Sequence, residues 1–122
     1  MTDPTAAVRR AYETRADAWD AAMGMVEGWL DERADALLAD ADRMRLVVMP
    51  GRIKDEARTI DRLTRAATEL AMSEVTVEQV EELVRDVVGG KVLCKSTRDQ
   101  ALMADDLARA LEPGIHLVAM RD

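Results

Sequence analysis

The sequence predicts an α+β fold dominated by helices, with a long N-terminal helical segment and a small sheet of about three strands. Three observations carry this prediction. Apolar residues recur at helical spacing over roughly the first forty residues. Side chains that start helices stand at Asp3, Thr76 and Ser96. Three short apolar runs, each bordered by a Pro-Gly or Gly-Gly pair, read as strands.

Asp3-Pro4 opens the first helix, because the aspartate accepts from the first turn and proline lacks only an N–H that this turn leaves unpaired. Tyr12, Trp19 and Val26 recur every seven residues, as do Met23, Leu30, Leu37 and Met44. Val8, Ala16, Ala34 and Ala41 fill the stripe, so the helical pattern runs over about 4–45. Gly24 and Gly28 each weaken a helix interior by about 1 kcal/mol relative to Ala and mark the expected kink or break. Arg33 interrupts the seven-residue series, which argues against an extended coiled coil.

Leu46-Val47-Val48-Met49 reads as a strand ended by a turn at Pro50-Gly51. Ala57, Ile60, Leu63, Ala67 and Leu70 share one face of a helix over 55–72. Thr76 with Gln79 forms a capping box for a helix over 77–87, closed by Gly89-Gly90. A strand over 91–95 follows. Ser96 with Asp99 then starts a helix to about Leu111, Pro113-Gly114 turns the chain, and 115–120 reads as the last strand.

At 122 residues the chain is expected to form a single domain over 1–122, a helical segment over 4–45 leading into a core over 46–122. Hydrophobic content of 48% beside 34% charged residues excludes a disordered chain. There is no Phe, so Leu, Val, Ala and the eight Met must build the core. A net charge of −7 argues against nucleic acid and anionic membrane surfaces as partners. One Cys cannot close an internal disulfide, and no basic start with an apolar run or long apolar span is present, which together predict a cytoplasmic location. His116 is the sole histidine, which excludes a His-rich zinc site or a Ser–His nucleophile pair.

The densest chemistry lies between Arg52 and Arg65, where Arg52, Lys54, Arg58, Arg62 and Arg65 outnumber Asp55, Glu56 and Asp61. Arg58, Arg62 and Arg65 share a helix face, and Arg52 and Lys54 sit just before that helix, where backbone N–H groups and the dipole favour an anion. Arg forks and a Lys point charge there suit a polyphosphate. The same spacing also fits a solvated face whose arginines pair with Asp55, Asp61 and their neighbours.

Gly51-Arg52-Ile53-Lys54, followed after some thirty residues by Asp86-Val87-Val88-Gly89-Gly90-Lys91-Val92-Leu93-Cys94, resembles the front half of a RelA/SpoT-type (p)ppGpp (alarmone) synthetase domain. The resemblance implies a truncated nucleotidyltransferase-like domain with an ATP site. Arg52 and Lys54 stand at the family's Arg-x-Lys, Arg58 where a Ser is usual and Arg62 where a Lys is usual. Asp86 stands at the family's Mg²⁺-binding aspartate, Gly89 at its small residue, and Lys91 replaces its usual Arg. A single carboxylate serves Mg²⁺ only if nucleotide phosphates supply further ligands, so the ion is expected only together with a nucleotide.

The family's later elements, a loop whose Tyr stacks on the acceptor guanine and a strand whose Glu activates the ribose hydroxyl, find no counterpart. The expectation is therefore a homologue without ATP:GTP/GDP 3′-pyrophosphotransferase activity that keeps a remnant ATP or guanine-nucleotide site. The alternative is an interaction module that pairs with a second copy, a synthetase or another regulator through the long helical face.

Overall fold

The computed structural model describes residues 3–111. In chain order these form α1 (Pro4–Thr14), α2 (Ala16–Leu37), a 3-10 helix (Asp40–Arg45), β1 (Leu46–Ile53), α3 (Glu56–Glu69), α4 (Val77–Leu83), β2 (Val88–Cys94) and α5 (Thr97–Arg109). The class is the expected one, a helix-rich α+β chain, although the sheet has two strands among the described residues rather than about three. The third expected strand, 115–120, lies outside the described residues, as does His116.

Local capping chemistry set the helix starts. Asp3 accepts from the Ala6 N–H at 2.8 Å, Ser96 accepts from the Asp99 N–H at 3.1 Å, and Thr76 and Gln79 complete the reciprocal box at the head of α4. The long helical pattern breaks at Arg15 and again at Leu38-Ala39, before the 3-10 helix, rather than at Gly24 or Gly28, which both lie inside an unbroken α2. The first break serves packing that sequence spacing does not reveal. Arg15 pairs with Glu81 at 2.5 Å, and the Tyr12 and Trp19 rings on either side of the break meet edge to face at 4.9 Å.

Both strands run further than their turn signals imply. β1 continues through Pro50-Gly51 to Ile53. A two-stranded sheet has only edge strands, where a residue without an N–H to donate is tolerated. β2 likewise includes Gly89-Gly90 instead of being preceded by them. A Cβ at Gly90 would come within 2.7 Å of Val26 Cγ1 and 2.9 Å of Leu30 Cδ1, so glycine is there for close approach to α2 and not as a helix stop.

The contacts group the described residues into two compact units, 3–24 with 52–89, and 25–51 with 90–111. In the first, Ala7, Val8 and Ala11 of α1 pack with Leu63 and Ala67 of α3, Val80 of α4, and Trp19, Val75, Val84 and Val87. The second has its own core of Leu30, Ala34, Leu46, Met103 and Leu107. It is stapled by two bidentate pairs. Arg33 donates to Asp106 at 2.8 and 2.9 Å, and Arg45 to Asp99, only 3% exposed, at 2.5 and 3.1 Å. The residue that interrupted the seven-residue stripe, Arg33, is thus one of these staples. No helix among the described residues is long and apolar enough to cross a membrane.

Helix α3 ends in a Schellman turn. The Met72 N–H donates to the Ala67 carbonyl at 2.8 Å, the Ala71 N–H donates to the Thr68 carbonyl at 3.1 Å, and Ala71 takes φ 55°. A Cβ in this left-handed conformation carries strain that glycine lacks, so Ala71→Gly should raise stability by about 1 kcal/mol in urea or thermal unfolding. Gly90→Ala should lower stability by about 1–3 kcal/mol through overpacking. Its neighbour Gly89 faces open space, and Gly89→Ala should move stability by less than about 0.5 kcal/mol. Equal effects at the two glycines would contradict the close approach at Gly90.

Candidate functional site

The two segments that carry the chemistry meet at Lys54. Its backbone N–H donates to the Val87 carbonyl at 2.7 Å, which brings the residues around Asp86 alongside the exit of β1. Its carbonyl accepts from the Tyr12 hydroxyl of α1. With that proton committed, the 2.6 Å contact between Tyr12 and Thr59 is donated by Thr59, whose hydroxyl also lies 3.1 Å from the Asp55 carbonyl. Thr59 is fully buried, and burial pushes the Tyr12 phenol above its ordinary value.

The Lys54 side chain is only 12% exposed and its ammonium donates to Asp86 Oδ2 at 2.8 Å, while the Asp86 side chain stays half-exposed. The hydrogen bond from Lys54 is the main influence that holds the Asp86 carboxyl below its ordinary range. Partial burial opposes it, and the charges of Lys54 and Arg62 add to it.

Arg52 lies exposed near the end of β1, and Arg58, Arg62 and Arg65 lie exposed along α3, opposite the face that buries Thr59, Leu63 and Ala67. Among the described residues none of these four arginines forms an ion pair, whereas Arg15, Arg33, Arg43, Arg45 and Arg109 all do. The pairing of Arg58 and Arg62 with Asp55 and Asp61 that spacing allowed is not formed. Asp55 instead caps α3, accepting from the Arg58 N–H at 3.4 Å, with Glu56 in the same first turn. The mouth of α3 therefore carries carboxylates of its own, and attraction for an anion rests on the guanidinium groups rather than on the helix end.

The structure thus brings Lys54, Asp86 and Arg62 together and leaves Arg52 and Arg58 exposed on flanking positions. Sequence reasoning missed Tyr12 and Thr59, which fix the Lys54 main chain. The available signal was a lone Tyr on the apolar stripe, which could have been read as a buried ring needing a partner for its hydroxyl. Asp86 does not fit a Mg²⁺ ion held by the protein. Its carboxylate is engaged by an ammonium, and no group of three or more potential metal donors exists among the described residues. Comparison with protein-family models, with curated proteins and with solved structures gave no match.

The Lys54–Asp86 pair has a defined pH signature. Because the folded-state pKa of Asp86 is depressed, its contribution is present above the ordinary carboxylate range and is lost as pH falls through the lowered value. Asp86→Asn should therefore be less stable than the native chain near neutrality, by no more than about 1 kcal/mol for so exposed a carboxylate. The two chains should converge in acid unfolding curves below about pH 4. A gap that stayed constant into strong acid would show that the pair adds nothing.

Proposed function

We propose that this chain is a RelA/SpoT-like alarmone synthetase homologue that binds the polyphosphate of a nucleotide without carrying out pyrophosphoryl transfer. The observation that supports it best is the run of guanidinium groups of Arg52, Arg58 and Arg62 close in sequence to Lys54, exposed and without an ion pair among the described residues, in a chain whose net charge is −7. Exposed, uncompensated cations on one helix face attract multivalent anions, and a triphosphate matches several forks at once. The order strand, helix, helix, strand agrees with the resemblance, and the Lys54–Val87 backbone link sets the two motif segments side by side. Pyrophosphoryl transfer requires two substrates held in register, and the resemblance accounts for one nucleotide only.

Calorimetric titration with a non-hydrolysable ATP analogue tests this reading. Saturable binding should appear and should weaken at least about tenfold in Arg52→Glu or Arg62→Glu, since each reversal removes one charge-assisted contact and adds a repulsion. Affinity unchanged by both reversals would overturn the site assignment.

A second reading, self-association or partner binding through the N-terminal helical surface, draws support from Met25 and Met44, which are 74% and 70% exposed. Most of the stripe is otherwise spent internally, with Val8, Trp19, Leu30 and Ala34 buried in the cores. Sedimentation showing a dimer that Met25→Glu dissolves would favour this reading.

A further inference from the structure

We propose that Asp86 works as an internal counter-ion that occupies Lys54 and thereby withholds it from phosphate, and that polyphosphate binding at the arginine face needs no Mg²⁺. The inference rests on the nucleotide-binding reading above and specifies how that site is regulated. Its basis is a mismatch of exposure within one ion pair. Lys54 has a mostly buried side chain, whereas its partner Asp86 is 49% exposed. The covered stem directs the Lys54 ammonium to Asp86, and the two charges meet at 2.8 Å in an exposed contact. The pair therefore occupies the charge of Lys54.

Geometry reinforces the point. The Lys54 main chain is anchored at both its N–H and its carbonyl, by Val87 and Tyr12. The residue cannot swing away from Asp86 as a unit, so freeing its ammonium means removing or displacing the carboxylate. An incoming phosphate meets Arg62 and Arg58 first, exposed and uncompensated. It reaches Lys54 only by competing with Asp86 for the same donor, and phosphate and carboxylate repel each other at that spot. A metal ion placed on Asp86 would have to displace the ammonium, and the described residues offer it no further carboxylate cluster.

The test is a double-mutant cycle read by calorimetry on the full chain, with inorganic tripolyphosphate as the probe, with and without Mg²⁺. Asp86→Asn should bind tripolyphosphate about fivefold more tightly than the native chain, the effect of unmasking one exposed-pair interaction. Lys54→Met in the native background should change affinity by less than about twofold, and Lys54→Met/Asp86→Asn should return to the native value. Excess Mg²⁺ should weaken binding to both the native chain and Asp86→Asn, because it neutralises the probe.

Weaker or unchanged binding in Asp86→Asn overturns the inference while leaving the arginine site standing. So does a Mg²⁺-dependent gain in the native chain that Asp86→Asn abolishes. If the native chain does not bind and Arg62→Glu makes no difference, the underlying nucleotide reading falls and this inference falls with it. Should Asp86→Asn fail to fold by circular dichroism, Lys54→Met alone decides. A loss under about twofold supports a Lys54 already occupied, and a loss of about tenfold refutes it.

Discussion

Lys54 is held at three points, and the first structural unit depends on that arrangement. Its N–H donates to Val87, its carbonyl accepts from Tyr12, and its ammonium donates to Asp86. Through these bonds one residue ties together the start of the chain, the exit of β1 and the approach to β2. These are segments that share no local signal. Each bond satisfies a polar group that burial of Val87, Thr59 and the Tyr12 ring would otherwise leave without water. The core around Leu63 and Val80 can therefore close over a polar knot instead of being interrupted by it.

The chain builds its two cores from small and branched aliphatic residues, with no Phe and with Ala at several of the most buried positions. Alanines let helices approach closely but each buries little area, so apolar burial alone gives a modest return per residue. Directional contacts supply the rest of the specification. In the first unit these are the Tyr12–Trp19 ring contact and the Lys54 bonds, and in the second the guanidinium–carboxylate pairs of Arg33 and Arg45. Bidentate pairs with a largely buried carboxylate add geometric selectivity even where their net energy is small, because a mispaired alternative would strand the carboxylate.

What was legible in the sequence was what is decided locally. The caps at Asp3, Thr76 and Ser96 each involve residues three positions apart, and the structure forms all of them. The α+β class and the arginine face of α3 follow from periodicity alone. The misread features are ones where a tertiary contact overrules a local signal. Pro50-Gly51 and Gly89-Gly90 are strong turn signals in isolation, yet an edge strand takes in the first, and in the second the approach of Val26 and Leu30 requires Gly90. Arg15 carries no helix-breaking chemistry at all. At the break it pairs with Glu81, 66 residues away in sequence. The candidate site divides in the same way. Its cations were visible as a cluster, while the Tyr12 and Asp86 contacts that immobilise Lys54 span 42 and 32 residues and leave no periodic trace.

The distribution of charge gives the site its meaning. With 24 acidic residues against 17 basic ones carboxylates are in excess, and Arg15, Arg33, Arg43, Arg45 and Arg109 are paired, whereas Arg9, Arg10, Arg85 and Arg98, like the arginines of the cluster, form no ion pair among the described residues. Near Arg52, Arg58 and Arg62 two of the acids are engaged elsewhere. Asp55 caps the helix and Asp86 neutralises Lys54. Each diversion removes a competitor for the guanidinium groups and leaves positive potential on one face of an otherwise acidic molecule. Asp86 plays opposite parts at two distances. At 2.8 Å it cancels the lysine, while the arginines of α3 keep their charge for a ligand. On the proposed reading, an anion site built in this way would discriminate by valence. A single phosphate would gain little from one or two solvated forks, whereas a triphosphate would engage several at once.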